Sequence, residues 1–343
     1  MTMSAPAEGL LATMARGWSR FWFSPGTALN LALNRIIFFG WIFAFTVGVD
    51  FAGWGEIAAE TDVFWMPTPF FEALGLRTLP PASIDSLQLI WKISLLTSCL
   101  GLASRVSLWT SFVAGFYLFG IPHNFGKVHH NDTLIVLIMA VFALSRATDV
   151  LTLDRWLERW WNVRRGSPAP AAGPAPSGEY TWPVRAVWVL MSIVFFAAGF
   201  SKVAYSGLDW ALSHNLENTI VAHFYSHRPP TRLGLYVAQV GLLCQATAVA
   251  TLVLELGAPL ALVSRRLRWV FPPGLFLMQL AIWILLGVNF FNYFVCYFFW
   301  IPWDRIVGKV RRRRSRSNTG TADATRAMAS QDVTRRASEV VPG

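Results

Sequence analysis

Ionisable side chains set inside long apolar stretches are where chemistry would come from in this sequence, because burying a charge needs a compensating reason. Four stand out: Arg35 in LALNRIIFFG, Lys92 in an otherwise apolar run, Lys202 in FFAAGFSKVAYSGLDW, and Glu255 in LVLELGAPL. Lys202 closes its apolar run and is followed by Asp209 and Trp210. At the mouth of an apolar cavity, desolvation would favour the neutral amine of a lysine, and a neutral amine is a usable general base. The competing reading is an interfacial lysine with a buried stem and its ammonium in water. Arg35 and Glu255 fall at similar depth when residues are counted from the basic ends of their segments. They are expected to form a buried ion pair or share a polar network, against the alternative that Arg35 reaches the interface alone.

A second polar cluster is PHNFGKVHHNDTL, which carries His123, Lys127, His129, His130 and Asp132. His223 and His227, spaced i, i+4, and the adjacent His129 and His130 raise the question of a metal. Six histidines in the whole chain are too few to fill the several boxes of a membrane di-iron site, so no metal is expected. Histidine is also common at wet helix ends. Cys99, Cys244 and Cys296 lie in apolar stretches without CxxC spacing, so neither a disulfide framework nor a zinc site is expected.

The elements that must position these groups are apolar helices. Of 343 residues, 54% are hydrophobic and only 14% charged, whereas soluble domains carry about 25% charged residues. The apolar residues come in runs long enough to span a bilayer. Eight spans are predicted, at about 29–50, 84–103, 107–122, 132–148, 183–202, 233–263, 268–288 and 290–303, giving an all-α, polytopic transmembrane bundle of about 8 spans (7–9). The sixth is too long for one straight crossing and should tilt or break near Gly257–Pro259. The eighth is short and aromatic, and an interfacial or re-entrant segment is the alternative to a crossing.

Basic residues set the orientation. Arg16 and Arg20 precede the first span, Arg105 sits in the second loop, Arg155, Arg159, Arg164 and Arg165 follow the fourth, and Arg265, Arg266 and Arg268 follow the sixth. With both termini cytoplasmic, all of these fall on one side, as the positive-inside rule requires. The loop at 51–83 then faces out, with Glu56, Glu60, Asp62 and Glu72 against Arg77. The domain plan is a cytoplasmic segment over 1–21, a transmembrane domain over 22–303, and a basic disordered cytoplasmic tail over 304–343. Within the domain, GSPAPAAGPAPSG (166–178) reads as a flexible connector. Met1 to Phe23 lacks the apolar core and small-residue site of a cleavable signal, so the first apolar run is expected to stay in the mature protein. The net charge of +10 gathers largely in the tail (Lys309, Arg311 to Arg314, Arg316). Directly after an apolar segment this is expected to face anionic lipid rather than nucleic acid.

Several segments, in order, resemble the HTTM membrane domain: FSPGTALNLALNRIIFFG, FWMPTPFFEALGL, KVHHNDTLIVLIMAVFALS, VFFAAGFSKVAYSGLDW and LVLELGAPLAL. The resemblance covers roughly 22–303. The same domain is the transmembrane core of vitamin K-dependent gamma-glutamyl carboxylase, and the resemblance implies the chemistry of that family. There a lysine deprotonates a reduced quinone, which reacts with oxygen to give a strong base, and that base removes a glutamate gamma-proton before carbon dioxide adds. Ala198-Gly199-Phe200-Ser201-Lys202 matches the stretch holding that lysine, with Ser201 in place of a second lysine and Asp209-Trp210 downstream. The family's histidine maps onto His130, or onto His129 if the register slips by one, and would stabilise the quinone oxygen. The carboxylase continues into a large soluble region that binds its substrate's propeptide, whereas here only a short basic tail follows the last span.

Three functions follow as expectations. The first is a carboxylase-like membrane enzyme at the extracytoplasmic face, with Lys202 as base, His130 or His129 as auxiliary group, and a reduced quinone such as vitamin K hydroquinone received among Trp188, Phe195, Phe196 and Phe200. The second is a non-catalytic membrane partner or maturation factor for a secreted peptide or protein. The third is a small-molecule transporter, for which paired broken helices and repeat symmetry are lacking. Each places the chain in the lipid bilayer as a multi-pass protein of the plasma or bacterial inner membrane.

Overall fold

The computed structural model describes residues 10–60, 63–126, 130–167 and 173–310. Among them the regular structure is helical, with one isolated antiparallel bridge between Gly26 and Ser177. An amphipathic helix α1 (Leu10–Phe23) leads into α2 (Ala28–Thr46), capped by the Thr27 side chain, which accepts a hydrogen bond from the Asn30 amide at 3.3 Å. Short helices α3 (Ala52–Glu60) and α4 (Pro69–Ala73) precede an antiparallel pair, α5 (Pro81–Leu100) and α6 (Ser104–Gly120). α7 (His130–Leu144), α8 (Leu153–Arg164) and the 25-residue α9 (Trp182–Ser206) follow.

The remainder is more broken. It comprises α10 (Asp209–Leu212), α11 (Asn215–His227), α12 (Leu233–Ala238), α13 (Gly241–Gly257), α14 (Leu260–Val263), α15 (Phe271–Leu286) and α16 (Phe291–Tyr297), the last running on into a 3-10 turn over Phe298–Trp300. The expected single segment at 233–263 is therefore three helices, interrupted at Gln239–Val240 and at Ala258–Pro259. The second break is the expected one, since Pro259 lacks the amide a continuous helix needs. At 1.5 Å per residue α16 covers only about a third of a bilayer's hydrocarbon thickness, so it does not cross as a helix by itself.

Three helical stretches, Ala28–Thr46, Gly178–Ser206 and Leu267–Leu286, are long and apolar enough to cross a membrane, and Asp132–Leu144 and Gly241–Gly257 are shorter apolar helices. α5 is long enough but carries Ser83, Asp85, Ser86, Gln88 and Lys92 among its apolar residues. Further along it the polar residues face inward: the Ser94 and Ser98 hydroxyls lie 2.9 and 3.1 Å from that of Ser111 on α6, and the Trp91 indole N–H donates to the Ser111 carbonyl at 3.1 Å. Its outer face is Leu89, Ile90, Ile93, Leu96 and Leu100, all exposed.

The main core gathers Leu31, Phe38, Phe39 and Ile42 of α2, Trp91 and Leu95 of α5, Leu108 and Leu118 of α6, Phe142 of α7, Val187 and Met191 of α9, and Phe299. Contacts fix how the helices align. The start of α2 lies by the start of α9, because Gly26 and Ser177 exchange backbone hydrogen bonds of 3.0 and 2.9 Å. The end of α5, the start of α6 and the start of α8 meet where the Asp154 carboxylate accepts from the Ala103 and Ser104 amides, both at 2.9 Å. Arg268 ahead of α15 reaches Trp188 near the start of α9. One end of the helices thus collects Arg20, Arg105, Arg155, Arg185 and Arg268.

Two expectations of disorder meet ordered structure. Ser177, at the end of the Pro/Ala segment, is tied to Gly26, and residues 303–310, in a second compact unit beginning at Pro302, are helical. Residues 168–172 of that segment and 311–343 of the tail lie outside the described residues.

Candidate functional site

The two ionisable residues that meet are Lys202 and Glu255. Lys202 stands in the last two turns of α9 and Glu255 in the last turn of α13, and the lysine Nζ is 2.6 Å from each carboxylate oxygen. The Glu255 side chain is 6% exposed and that of Lys202 25% exposed, so the acid is enclosed while the base keeps an opening. Gly199 makes the approach possible. A Cβ at that position would stand 2.9 Å from the Glu255 Cβ, closer than side-chain carbons pack.

Trp210 also comes back to Lys202 despite the intervening VAYSGL. Gly207 turns the chain after α9 with φ +61 and ψ −150, a region open essentially to glycine alone. The Trp210 ring then lies 5.2 Å from the Lys202 ammonium, within reach of a cation–π interaction. Asp209 itself is exposed at the start of α10.

Arg35 and Glu255 are not partners, contrary to expectation. Arg35 is fully buried and donates to the Ser98 carbonyl at 2.9 Å and the Leu151 carbonyl at 2.6 Å. It satisfies a carbonyl of the last turn of α5, where a cation is favoured by the helix dipole. The depth count failed because α13 does not continue straight to the basic end. Glu255 is level with Gly199–Lys202, far along α9, whereas Arg35 lies near the start of α2. Lys92 plays a similar capping part, its ammonium donating 2.8 Å to the Val49 carbonyl just past α2.

His129 and the side chain of His130 lie outside the described residues; His130 is the first residue of α7. His123 approaches Asp132 at 4.0 Å. His223 and His227 stack with centroids 4.3 Å apart and 11° between planes. Burial, followed by the neighbouring His227, holds the His223 pKa below its ordinary value. Among the described residues no group of three or more His, Cys, Asp or Glu is placed to hold a metal ion.

Of the aromatic residues expected to receive a quinone, Phe195 packs on Tyr293 in the core and Trp188 is stacked on Trp300 at 4.3 Å. Phe196 and Phe200 face outward, 42% and 58% exposed, and precede Lys202 by six and two residues, with their rings 6.1 Å apart. At about 100° per residue both rings stand on the side of α9 turned away from Lys202, so of the four only Phe195 shares the lysine's side nearby. Near the same end, following α2, a cleft of about 730 Å³ is lined by Trp65, Pro67, Phe71, Glu72, Arg77 and Thr78.

The pairing changes the chemistry open to Lys202. An ammonium gripped by a carboxylate has no lone pair, so the group ready to take a proton is Glu255. The amine becomes a base only after Lys202 has passed its own proton to that carboxylate. Sequence reasoning singled out both residues and missed that they are one unit; the signal available was that a buried acid and a buried base on separate helices stabilise each other.

No protein-family model, curated protein or solved structure matches the chain.

Proposed function

We propose that the chain is a multi-pass membrane protein of the HTTM type, with its arginine-rich helix ends cytoplasmic, and that the Lys202–Glu255 pair at the opposite end takes the proton of a reduced quinone drawn from the bilayer. The observation that carries this reading is the pair itself: a lysine and a glutamate on two apolar helices, the acid enclosed and the lysine partly open. Ionisable residues in such surroundings mark functional sites. Membrane embedding is supported by the second half of α5, where Ser94 and Ser98 turn inward while Leu89, Ile90, Ile93, Leu96 and Leu100 turn outward, a pattern suited to lipid rather than water. The orientation is supported by the arginines gathered at one end. The ordered motifs quoted above support the family.

In this reading Trp210 flanks the ammonium, and the pair as a unit accepts the hydroxyl proton of the quinol. The quinol supplies the oxygen chemistry that the family resemblance implies. The test is an epoxidation assay on the purified chain in detergent with a reduced naphthoquinone and oxygen, comparing wild type, Lys202→Ala and Glu255→Gln. Epoxide from wild type and from neither variant, each shown to be folded under the assay conditions, supports the reading. No epoxide from folded wild type across several quinones overturns it.

The cleft over 55–81 favours a second reading, a membrane partner that holds an extracytoplasmic peptide. That function would survive Lys202→Ala and be lost on filling the cleft, for example with Ala58→Trp.

A further inference from the structure

At the basic end of α9, two arginines share one indole and lack a carboxylate. The Arg185 guanidinium carbon lies 4.1 Å from the Trp188 ring centroid and that of Arg268 lies 4.8 Å from it. Trp188 is fixed, since its N–H donates to the Phe299 carbonyl at 2.9 Å and its ring is stacked on Trp300. Arg268 is fixed as well. Its Nε donates to the Ala261 carbonyl at 2.9 Å and its Nη2 to the Leu262 carbonyl at 3.0 Å, which leaves Nη1 to point elsewhere. Arg185 is held from the other side by Phe21 of α1, 5.2 Å from the ring centroid.

Two features of this arrangement have no internal explanation. The Arg185 Nη1 is buried and has no hydrogen-bond partner, and the indole N–H of Trp22, next to Phe21, is in the same condition. Among the described residues neither arginine forms an ion pair with a carboxylate, and Glu179, the acid nearest in sequence to Arg185, is exposed. Two guanidinium groups crowded onto one ring repel each other, so the arrangement is costly unless an anion sits between them. A guanidinium is a planar fork of donors matched to phosphate oxygens.

We propose that Arg185 and Arg268, positioned by Trp188, form a binding site for a phosphate group. The phosphate would come from the headgroup of an anionic phospholipid or from a free phosphate. The site lies at the far end of α9 from Lys202 and does not depend on the proton chemistry proposed there.

The test uses the full chain in detergent and reads the thermal midpoint. Phosphatidylglycerol, phosphatidylcholine and inorganic phosphate are added in separate arms to wild type, Arg185→Gln, Arg268→Gln and, as a control at the opposite end, Arg228→Gln. A rise of several degrees with phosphatidylglycerol alone, lost in the Arg185 and Arg268 variants and kept in the control, establishes the site with a lipid as its ligand. A rise with both phosphatidylglycerol and inorganic phosphate, lost in the same two variants, establishes it with a free anion. No rise in wild type with either ligand, or the same rise in the variants, overturns it. Should the variants fail to fold, native mass spectrometry of wild type decides. Retention of phosphatidylglycerol over phosphatidylcholine by roughly fivefold, the effect of about one arginine beside an anionic headgroup, or retention of phosphate adducts, supports the site. Retention of neither overturns it.

Discussion

Lys202 and Glu255, 53 residues apart in sequence, form a bidentate ion pair between the end of α9 and the end of α13, with both N–O distances 2.6 Å. Removing one member leaves the other charged group in apolar surroundings, which costs about 3 kcal/mol or more. Lys202→Met should therefore lower the thermal midpoint sharply, and Lys202→Met with Glu255→Leu should recover most of the loss. Unfolding of the four proteins of this cycle in detergent measures the coupling. Losses that simply add would show that the two side chains act independently.

The close approach of α13 to α9 depends on Gly199. Any side chain there meets the Glu255 Cβ and Leu256, so Gly199→Ala should cost about 1–3 kcal/mol through overpacking, and Gly199→Leu more. A thermal midpoint for Gly199→Leu equal to that of wild type would contradict the observed packing.

Arg35 ties α2 to the end of α5 and to the Leu151 carbonyl. Arg35→Met removes two charge-assisted hydrogen bonds and should destabilise by about 2–4 kcal/mol. Arg35→Lys, with a point charge in place of a fork, should restore only part of it. Glu255→Gln combined with Arg35→Met should add to it independently, since the two residues share no partner.

Asp154 anchors α8 to the turn between α5 and α6. Burial acts to raise its pKa, but hydrogen bonds from the Ser104 hydroxyl and amide and from the Ala103 amide, with the charge of Arg35, outweigh that and hold the carboxyl below its ordinary value. A depressed folded pKa gives stability that is present above the unfolded value, about 3.9, and lost as pH falls through the folded one. Asp154→Asn should thus be less stable than wild type at neutral pH, and the gap should close as the pH drops below about 4. Thermal midpoints measured across pH check the sign; a gap that widens in acid would contradict it.

α8 has no buried residue and exposes Trp156, Leu157, Trp160 and Trp161, with Arg164 3.8 Å over the Trp160 ring and Arg165 4.8 Å over that of Trp161. A helix of this composition is expected to lie in the membrane interface. In vesicles of brominated lipid, replacing Trp160 and Trp161 by Phe should remove part of the fluorescence quenching seen in wild type. Unchanged quenching would place α8 in water.

Much of this protein is legible in its sequence. Apolar runs such as LALNRIIFFG and VWVLMSIVFFAAGF gave helices because their length and composition leave the backbone no cheaper way to satisfy its hydrogen bonds away from water. Lys202, Glu255 and Arg35 were visible as groups needing partners, and Pro259 marked a break. The partners were decided only in three dimensions. Arg35 bonds to carbonyls of Ser98 and Leu151, and since every residue carries a carbonyl, composition holds no trace of that choice. Glu255 reaches Lys202 because α13 ends level with Gly199. Depth by residue count assumes 1.5 Å of rise per residue along an unbroken helix, and two interruptions between Leu233 and Val263 remove that assumption. Sequence fixes which residues cannot be left alone, while helix register and the point where a helix stops determine which two of them meet.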